Sequence, residues 1–134
     1  MSENYYLYVE DDPMSREIMR IIIENGVGSH NLTIFEDSKD FIGRVSRLEN
    51  RPNIILLDIH VAPHDGFEML KMLRQNDQFA RAKIIALTAS VMNEEVEQLR
   101  EAGFDGAIAK PLSIQTFPDL IQRVITGETV WHIS

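Results

Sequence analysis

Five short apolar runs, each followed by an amphipathic segment, constrain this 134-residue chain more than any other feature. The runs are Tyr5–Val9, Leu32–Phe35, Ile54–Leu57, Ile84–Leu87 and Ala107–Ala109. Most are rich in β-branched or aromatic residues and all end in polar or turn residues, as strands buried on both faces of a sheet do. The fifth run is the weakest, because alanine has poor strand propensity. The segments between them read as helices. Asp12 and Pro13 predict a cap and a first turn, with Met14, Ile18, Ile21 and Ile22 inward and Gly26 as the stop. Ser38 is expected to cap a second helix with Phe41, Ile42, Val45 and Leu48 inward. A third begins near Gly66 and turns Phe67, Leu70 and Leu73 inward. A fourth begins near Asn93, uses Val96 and Leu99, and stops at Gly103. The fifth follows Ser113, with Phe117, Leu120, Ile121 and Val124 inward. Pro118 cannot donate to the carbonyl four residues back, so a loose or 3₁₀ turn is predicted over 114–117, with regular helix beyond.

Five strand–helix units in series predict a three-layer α/β domain: a parallel sheet, helices on both faces, right-handed crossovers. With so few strands the natural arrangement is flavodoxin-like, a (βα)5 fold of sheet order 2-1-3-4-5. One domain is expected over 1–134, with a core of about 5–126 and a short tail over 127–134. Hydrophobic residues make up 44% and charged residues 25%, enough apolar material for a real core and against disorder. No apolar run approaches the roughly 20 residues of a membrane helix. The first residues lack the basic start and apolar stretch of a secretory signal. The absence of cysteine excludes disulfides, thiolate metal sites and thiol chemistry. The net charge is 13 − 21 = −8, which argues against direct nucleic-acid binding and favours a cation or a partner with a basic patch.

In sheets of this kind ligands bind outside the carboxyl ends of the strands, where strands 1 and 3 lie side by side. Those ends carry Glu10, Asp11 and Asp12 after the first run, Asp58 after the third, Thr88 after the fourth and Lys110 after the fifth. Packed carboxylates raise one another's pKa unless a cation neutralises them. Carboxylate and carbonyl ligands suit a hard ion, above all Mg²⁺, which commonly bridges carboxylate to phosphate. A lysine and a threonine hydroxyl beside them supply what a phosphoryl group requires, one point charge and one donor.

These motifs together resemble the response-regulator receiver domains of bacterial two-component signalling. The likeness rests on the acidic cluster of YLYVEDD, the aspartate of IILLDIH, Gly66 eight residues beyond it, the threonine of ALTA and the lysine of AKP, and it covers roughly 5–126. It implies that Asp58 is the phosphoacceptor, taking a phosphoryl group from a phosphohistidine of a sensor histidine kinase or histidine phosphotransfer protein. It implies that Asp11 binds Mg²⁺ directly, Glu10 mainly through water, and the His60 carbonyl completes the protein ligands. Lys110 pairs with the phosphoryl oxygens, Thr88 bonds to them and reports the modification, and the Lys110–Pro111 peptide is cis. It further implies a bacterial cytoplasmic switch rather than a conventional enzyme, one that promotes its own phosphorylation and slow dephosphorylation. The face formed by the fourth helix, fifth strand and fifth helix would meet an unknown downstream target or a second copy.

Three positions depart from the family pattern. Ala107 stands where an aromatic switch residue is usual, so the signal passes instead through the loop after Thr88 or through Phe104. Pro63 lies one residue later than usual, behind Ala62, within a loop of conserved total length, predicting a local change of path. His60 and Ser90 sit at the two places that tune phosphate lifetime. Simpler readings stand beside these. Asp12 fits a helix cap better than a ligand; His60 and His64 read as loop histidines, with Pro63 between them arguing against one helical face. Glu94, Glu95, Glu97 and Glu101 read as a solvated helix face, with partner docking as the sharper alternative. Trp131 is expected to pack against the fifth helix, or to anchor a partner. Two other functions remain: a receiver-fold adaptor that is not phosphorylated, and an aspartyl-phosphate phosphatase. The latter is disfavoured because Glu10 and Asp12 do not place an aspartate first. A flavin-binding protein is disfavoured because the first loop is acidic and lacks phosphate-cradling glycines.

Overall fold

A computed structural model describes residues 3–89 and 92–132. Its strands are β1 (Tyr6–Val9), β2 (Leu32–Phe35), β3 (Ile54–Asp58), β4 (Lys83–Thr88), β5 (Gly106–Ala109) and β6 (Val130–His132). Its α-helices are α1 (Pro13–Ile21), α2 (Phe41–Ser46), α3 (Gly66–Arg74), α4 (Asn93–Ala102) and α5 (Phe117–Ile125). All neighbouring strands pair in parallel, in the order β2-β1-β3-β4-β5-β6. The flavodoxin-like architecture is as the sequence predicts, with one strand more. The segment read as a tail forms β6 on the edge of β5. No helix among the described residues is long and apolar enough to cross a membrane.

Strand side chains alternate between faces, so the central strands split the core in two. Leu7, Val9, Ile55, Leu57, Ile84 and Ala86 pack with residues of α2, α3 and α4. Tyr6, Tyr8, Ile54, Leu56, Ile85 and Leu87 pack with residues of α1 and α5. Both sets are buried, which explains the unbroken apolar runs.

The helices follow the expected starts more closely than the expected faces. Asp12 caps α1, its carboxylate accepting from the Ser15 N–H at 2.9 Å. The inward face of α1 is nevertheless Ile18, Met19, Ile22 and Ile23; Met14 and Ile21 are exposed. The chain passes into a π-helical turn over Ile22–Val27 that ends at Gly28, two residues beyond the predicted stop. Gly26 lies inside this turn, where a Cβ would stand 2.6 Å from Pro118 Cγ. In α5 Pro118 falls in the first turn, where the missing N–H has no helical partner to lose, so the helix begins at Phe117. Ser38 does not cap α2. Its buried hydroxyl donates to the His64 carbonyl and accepts from the His64 N–H, each at 2.7 Å.

That clamp pins the loop after Asp58, in which the Ala62–Pro63 peptide is cis. Asp65 and Glu68 close the loop with a capping box at the start of α3. Gly66 then passes directly over the backbone that follows Asp58. A Cβ there would lie 2.6 Å from Ile59 Cδ1 and 2.9 Å from Ile59 Cα. Alanine at the first position of a helix ordinarily stabilises by up to about 1 kcal/mol relative to glycine. Here the close backbone atom reverses the sign. Gly66→Ala is expected to destabilise the fold by about 1–3 kcal/mol, read as a lower urea midpoint.

Candidate functional site

The parallel register brings the carboxyl ends of four strands to one rim. Val9 pairs with Leu57, Asp58 with Leu87 and Thr88 with Ala109, so Glu10, Asp58, Thr88 and Lys110 emerge side by side. Oxygens of Glu10, Asp11 and Asp58 lie within 4.8 Å of one another. Glu10, Asp58 and Thr88 are buried, whereas Asp11 faces solvent. Asp12 turns away to its capping role. Lys110 reaches back across the rim, with Nζ 2.7 Å from Glu10 Oε1 and 3.6 Å from Asp58 Oδ2. Its own N–H donates to the Thr88 carbonyl at 2.9 Å, tying β5 to β4 at the site. The Lys110–Pro111 peptide is cis.

His60 enters through its backbone, its N–H donating to Asp58 Oδ1 at 3.4 Å. The His64 imidazole lies 3.8 Å from Glu68 on the α3 side of the loop. Neither imidazole is among the acidic ligand atoms that converge. Ser90 lies outside the described residues. One contributor escaped the sequence reading: Tyr8, whose hydroxyl donates to Glu10 Oε1 at 2.8 Å. Strand alternation was the available signal, since residues 8 and 10 project to the same face.

Among the described residues, the cation paired with the carboxylates of this acidic cluster is Lys110. Burial works against ionised Glu10, but hydrogen bonds from its neighbours, including Lys110 and Tyr8, hold its pKa below the usual range. Burial likewise opposes the Lys110 charge, and the two carboxylates outweigh it, holding its pKa high. For Asp58 the lysine at 3.6 Å and the His60 N–H are outweighed. Burial first, then the adjacent Glu10 carboxylate, push its pKa up to about 6. Glu10 has two close donors, the Tyr8 hydroxyl and the Lys110 ammonium, whereas Asp58 has a longer contact to the lysine, so the repulsion between the two carboxylates falls mainly on Asp58. Hard oxygen ligands, a deficit of positive charge and an exposed Asp11 at the mouth together fit a hydrated Mg²⁺ ion.

The raised Asp58 pKa makes native stability depend on pH. Between the ordinary value of 3.8 and about 6 the folded state binds more protons than the unfolded state, so stability falls as pH rises. Above that window the full cost is present, on the order of 2–3 kcal/mol. In chelator at pH 8, Asp58→Asn is expected to melt about 5–10 °C above the unaltered chain. The difference should shrink toward pH 4, as thermal melts across the range will test.

Residues 6–122 match the response regulator receiver domain family. The polar-differentiation response regulator DivK of Brucella ovis is 30% identical over 119 residues, spanning 89% of this chain and 94% of DivK. DivK of Brucella anthropi is 29% identical over 120 residues, with the same coverage of 89% and 94%. The chemotaxis response regulator CheY4 of Vibrio cholerae shares the fold with a TM-score of 0.81 at 21% identity, over 92% of this chain and 99% of its own. The receiver domain of the sensor histidine kinase PA1611 of Pseudomonas aeruginosa, which has a magnesium ion coordinated in its active-site cleft, gives 0.79 at 25% identity, over 94% and 100%. The strand-end carboxylates, the lysine and the family match over most of the chain lead to one conclusion: this protein belongs to the response regulator receiver family of two-component signalling.

Proposed function

We propose that the protein is a phosphoacceptor switch in which Asp58 takes a phosphoryl group from a phosphohistidine on a sensor kinase or histidine phosphotransfer protein. The observation that carries this reading is the placement of Asp58: nearly buried, at the centre of the strand-end rim, with Lys110 Nζ 3.6 Å from Oδ2. Glu10, Asp11, Asp58 and the His60 carbonyl would hold Mg²⁺. When bound, the ion neutralises charge on the carboxylates and on the incoming phosphoryl oxygens.

The ionised Asp58 oxygen attacks phosphorus as the P–N bond of the donor breaks. The electron pair remains on the imidazole nitrogen, which is reprotonated, and an acyl phosphate forms. Lys110, already poised between Glu10 and Asp58, supplies the positive charge that the transferred group needs. The Thr88 hydroxyl supplies a hydrogen bond from the end of β4. The product adds about −1.5 to −2 charges beside Glu10, so Lys110 is drawn toward it and the loop after Thr88 follows. The carboxyl ends of β4 and β5 thereby pass the change to α4 and the β5 edge. Slow hydrolysis of the acyl phosphate resets the switch. Signalling by contact, in a bacterial cytoplasm, suits a chain whose net charge of −8 disfavours grasping DNA by its phosphates.

Incubation with Mg²⁺ and acetyl phosphate, or with a phosphorylated kinase, is expected to add one phosphoryl mass to the chain. Asp58→Asn should abolish it, and Lys110→Ala should slow it by about 10²-fold or more, the usual cost of losing one charge-stabilising group. A chain that gains no mass under any donor is instead a receiver-fold adaptor. Added mass that persists in Asp58→Asn would place the acceptor elsewhere.

A further inference from the structure

β6 lies along the outer edge of β5, and the residues of β5 are shaped for it. Gly106 pairs with Val130, and a Cβ at Gly106 would stand 2.3 Å from the Val130 carbonyl oxygen. Any larger residue would push β6 away. Ala107 pairs with Trp131, and the indole packs over the core cluster that contains Leu99, Phe104 and Ala107. The Arg100 guanidinium, carried by α4, lies 4.6 Å from the centre of the Trp131 ring. Val130 is buried in the opposite layer, with residues of α5. A single extended segment therefore closes both sides of the β5 edge. The segment is short, three residues, and joins α5 through a turn at Gly127 with φ 100°. A three-residue strand on a sheet edge makes few backbone hydrogen bonds and stands at the low end of local stability, so this one can exchange.

We propose that the outer edge of β5 is a strand-docking site and that β6 is its intramolecular occupant. The partner it fits is an extended peptide that pairs parallel to β5 and sets an aromatic ring over Ala107 against Arg100. Such recognition takes affinity from main-chain hydrogen bonds and selectivity from the side-chain pockets. The tether gives β6 an effective concentration in the millimolar range, so a free peptide enters only when β6 is weakened. The proposal involves neither the metal ion nor the phosphoryl group, and it stands or falls apart from the phosphoacceptor reading.

The test uses the full chain and a fluorescein-labelled peptide of residues 127–132, GETVWH. The unaltered protein is expected to bind it weakly. Trp131→Ala, which removes the anchor, should bind at least tenfold more tightly. Gly127→Val should gain similarly by a separate route, since it strains the turn while a Cβ there meets nothing within 4 Å. A peptide with alanine in place of the tryptophan should lose the gain. Gly106→Ala should red-shift the emission of Trp131 as β6 lifts, yet gain no affinity, because the edge itself is obstructed. If Trp131→Ala and Gly127→Val, shown folded by circular dichroism, bind no better than the unaltered chain, the proposal fails. It also fails if Gly106→Ala binds as well as they do.

Discussion

Mutual repulsion among Glu10, Asp11 and Asp58, set against a single lysine, is the constraint on which the rest of this structure depends. Two of the three carboxyl groups are buried, so their repulsion is screened less than it would be at the surface. Lys110 neutralises one charge, and it favours Glu10 at 2.7 Å over Asp58 at 3.6 Å. Removing one partner of a buried ion pair typically costs about 3–5 kcal/mol, so Glu10 and Lys110 hold each other in place. Asp58 is left as the group whose charge is least compensated. A divalent ion would relieve that charge, which is why the proposed acceptor role falls to Asp58.

The surroundings keep this unfavourable arrangement from relaxing. Parallel pairing aligns the strand ends, and both core layers fix the strands that carry them. The loop after Asp58 is gripped from three directions: Ser38 clamps His64, the Asp65–Glu68 capping box ends the loop, and Gly66 seats it against Ile59. Arg16 adds a tie from α1, donating to the Glu10 carbonyl at 3.1 Å. This grip positions the Asp58 oxygens relative to Lys110, the preorganisation that the proposed phosphoryl transfer would require.

Much of this was legible in the sequence because buried parallel strands read as continuous apolar runs and the residues ending them are the residues of the rim. Asp12, Pro13 and Gly103 marked helix boundaries through capping chemistry alone, whereas α4 starts at Asn93 behind Met92 with no side-chain cap. The failures have physical causes. Met14 and Ile21 were assigned to the inward face of α1, but a contact face is fixed by what it meets, and here Met19 and Ile23 meet the sheet. Ser38 has the side chain of a helix cap, yet its hydroxyl finds better partners 26 residues away, a pairing no local pattern encodes. β6 was missed because three residues carry too little periodicity to identify a strand. Trp131 was expected beside α5; alternation along β6 instead sends Val130 to that side and the indole toward α4. The small pair Gly106–Ala107 was the trace left in the sequence, legible only once the paired segment is known.

The departure at Ala107 takes on a different meaning in this setting. The room left by a missing aromatic ring on β5 is filled from β6, so the face formed by α4, β5 and α5 already holds a strand and a tryptophan of the same chain. The central claim, however, concerns the pocket, and calorimetric titration with Mg²⁺ at neutral pH tests it most directly. Saturable binding in the millimolar range is expected, with a loss of affinity of about tenfold or more in Asp11→Ala. Identical titrations of the two proteins, or no saturable heat in either, would contradict the account.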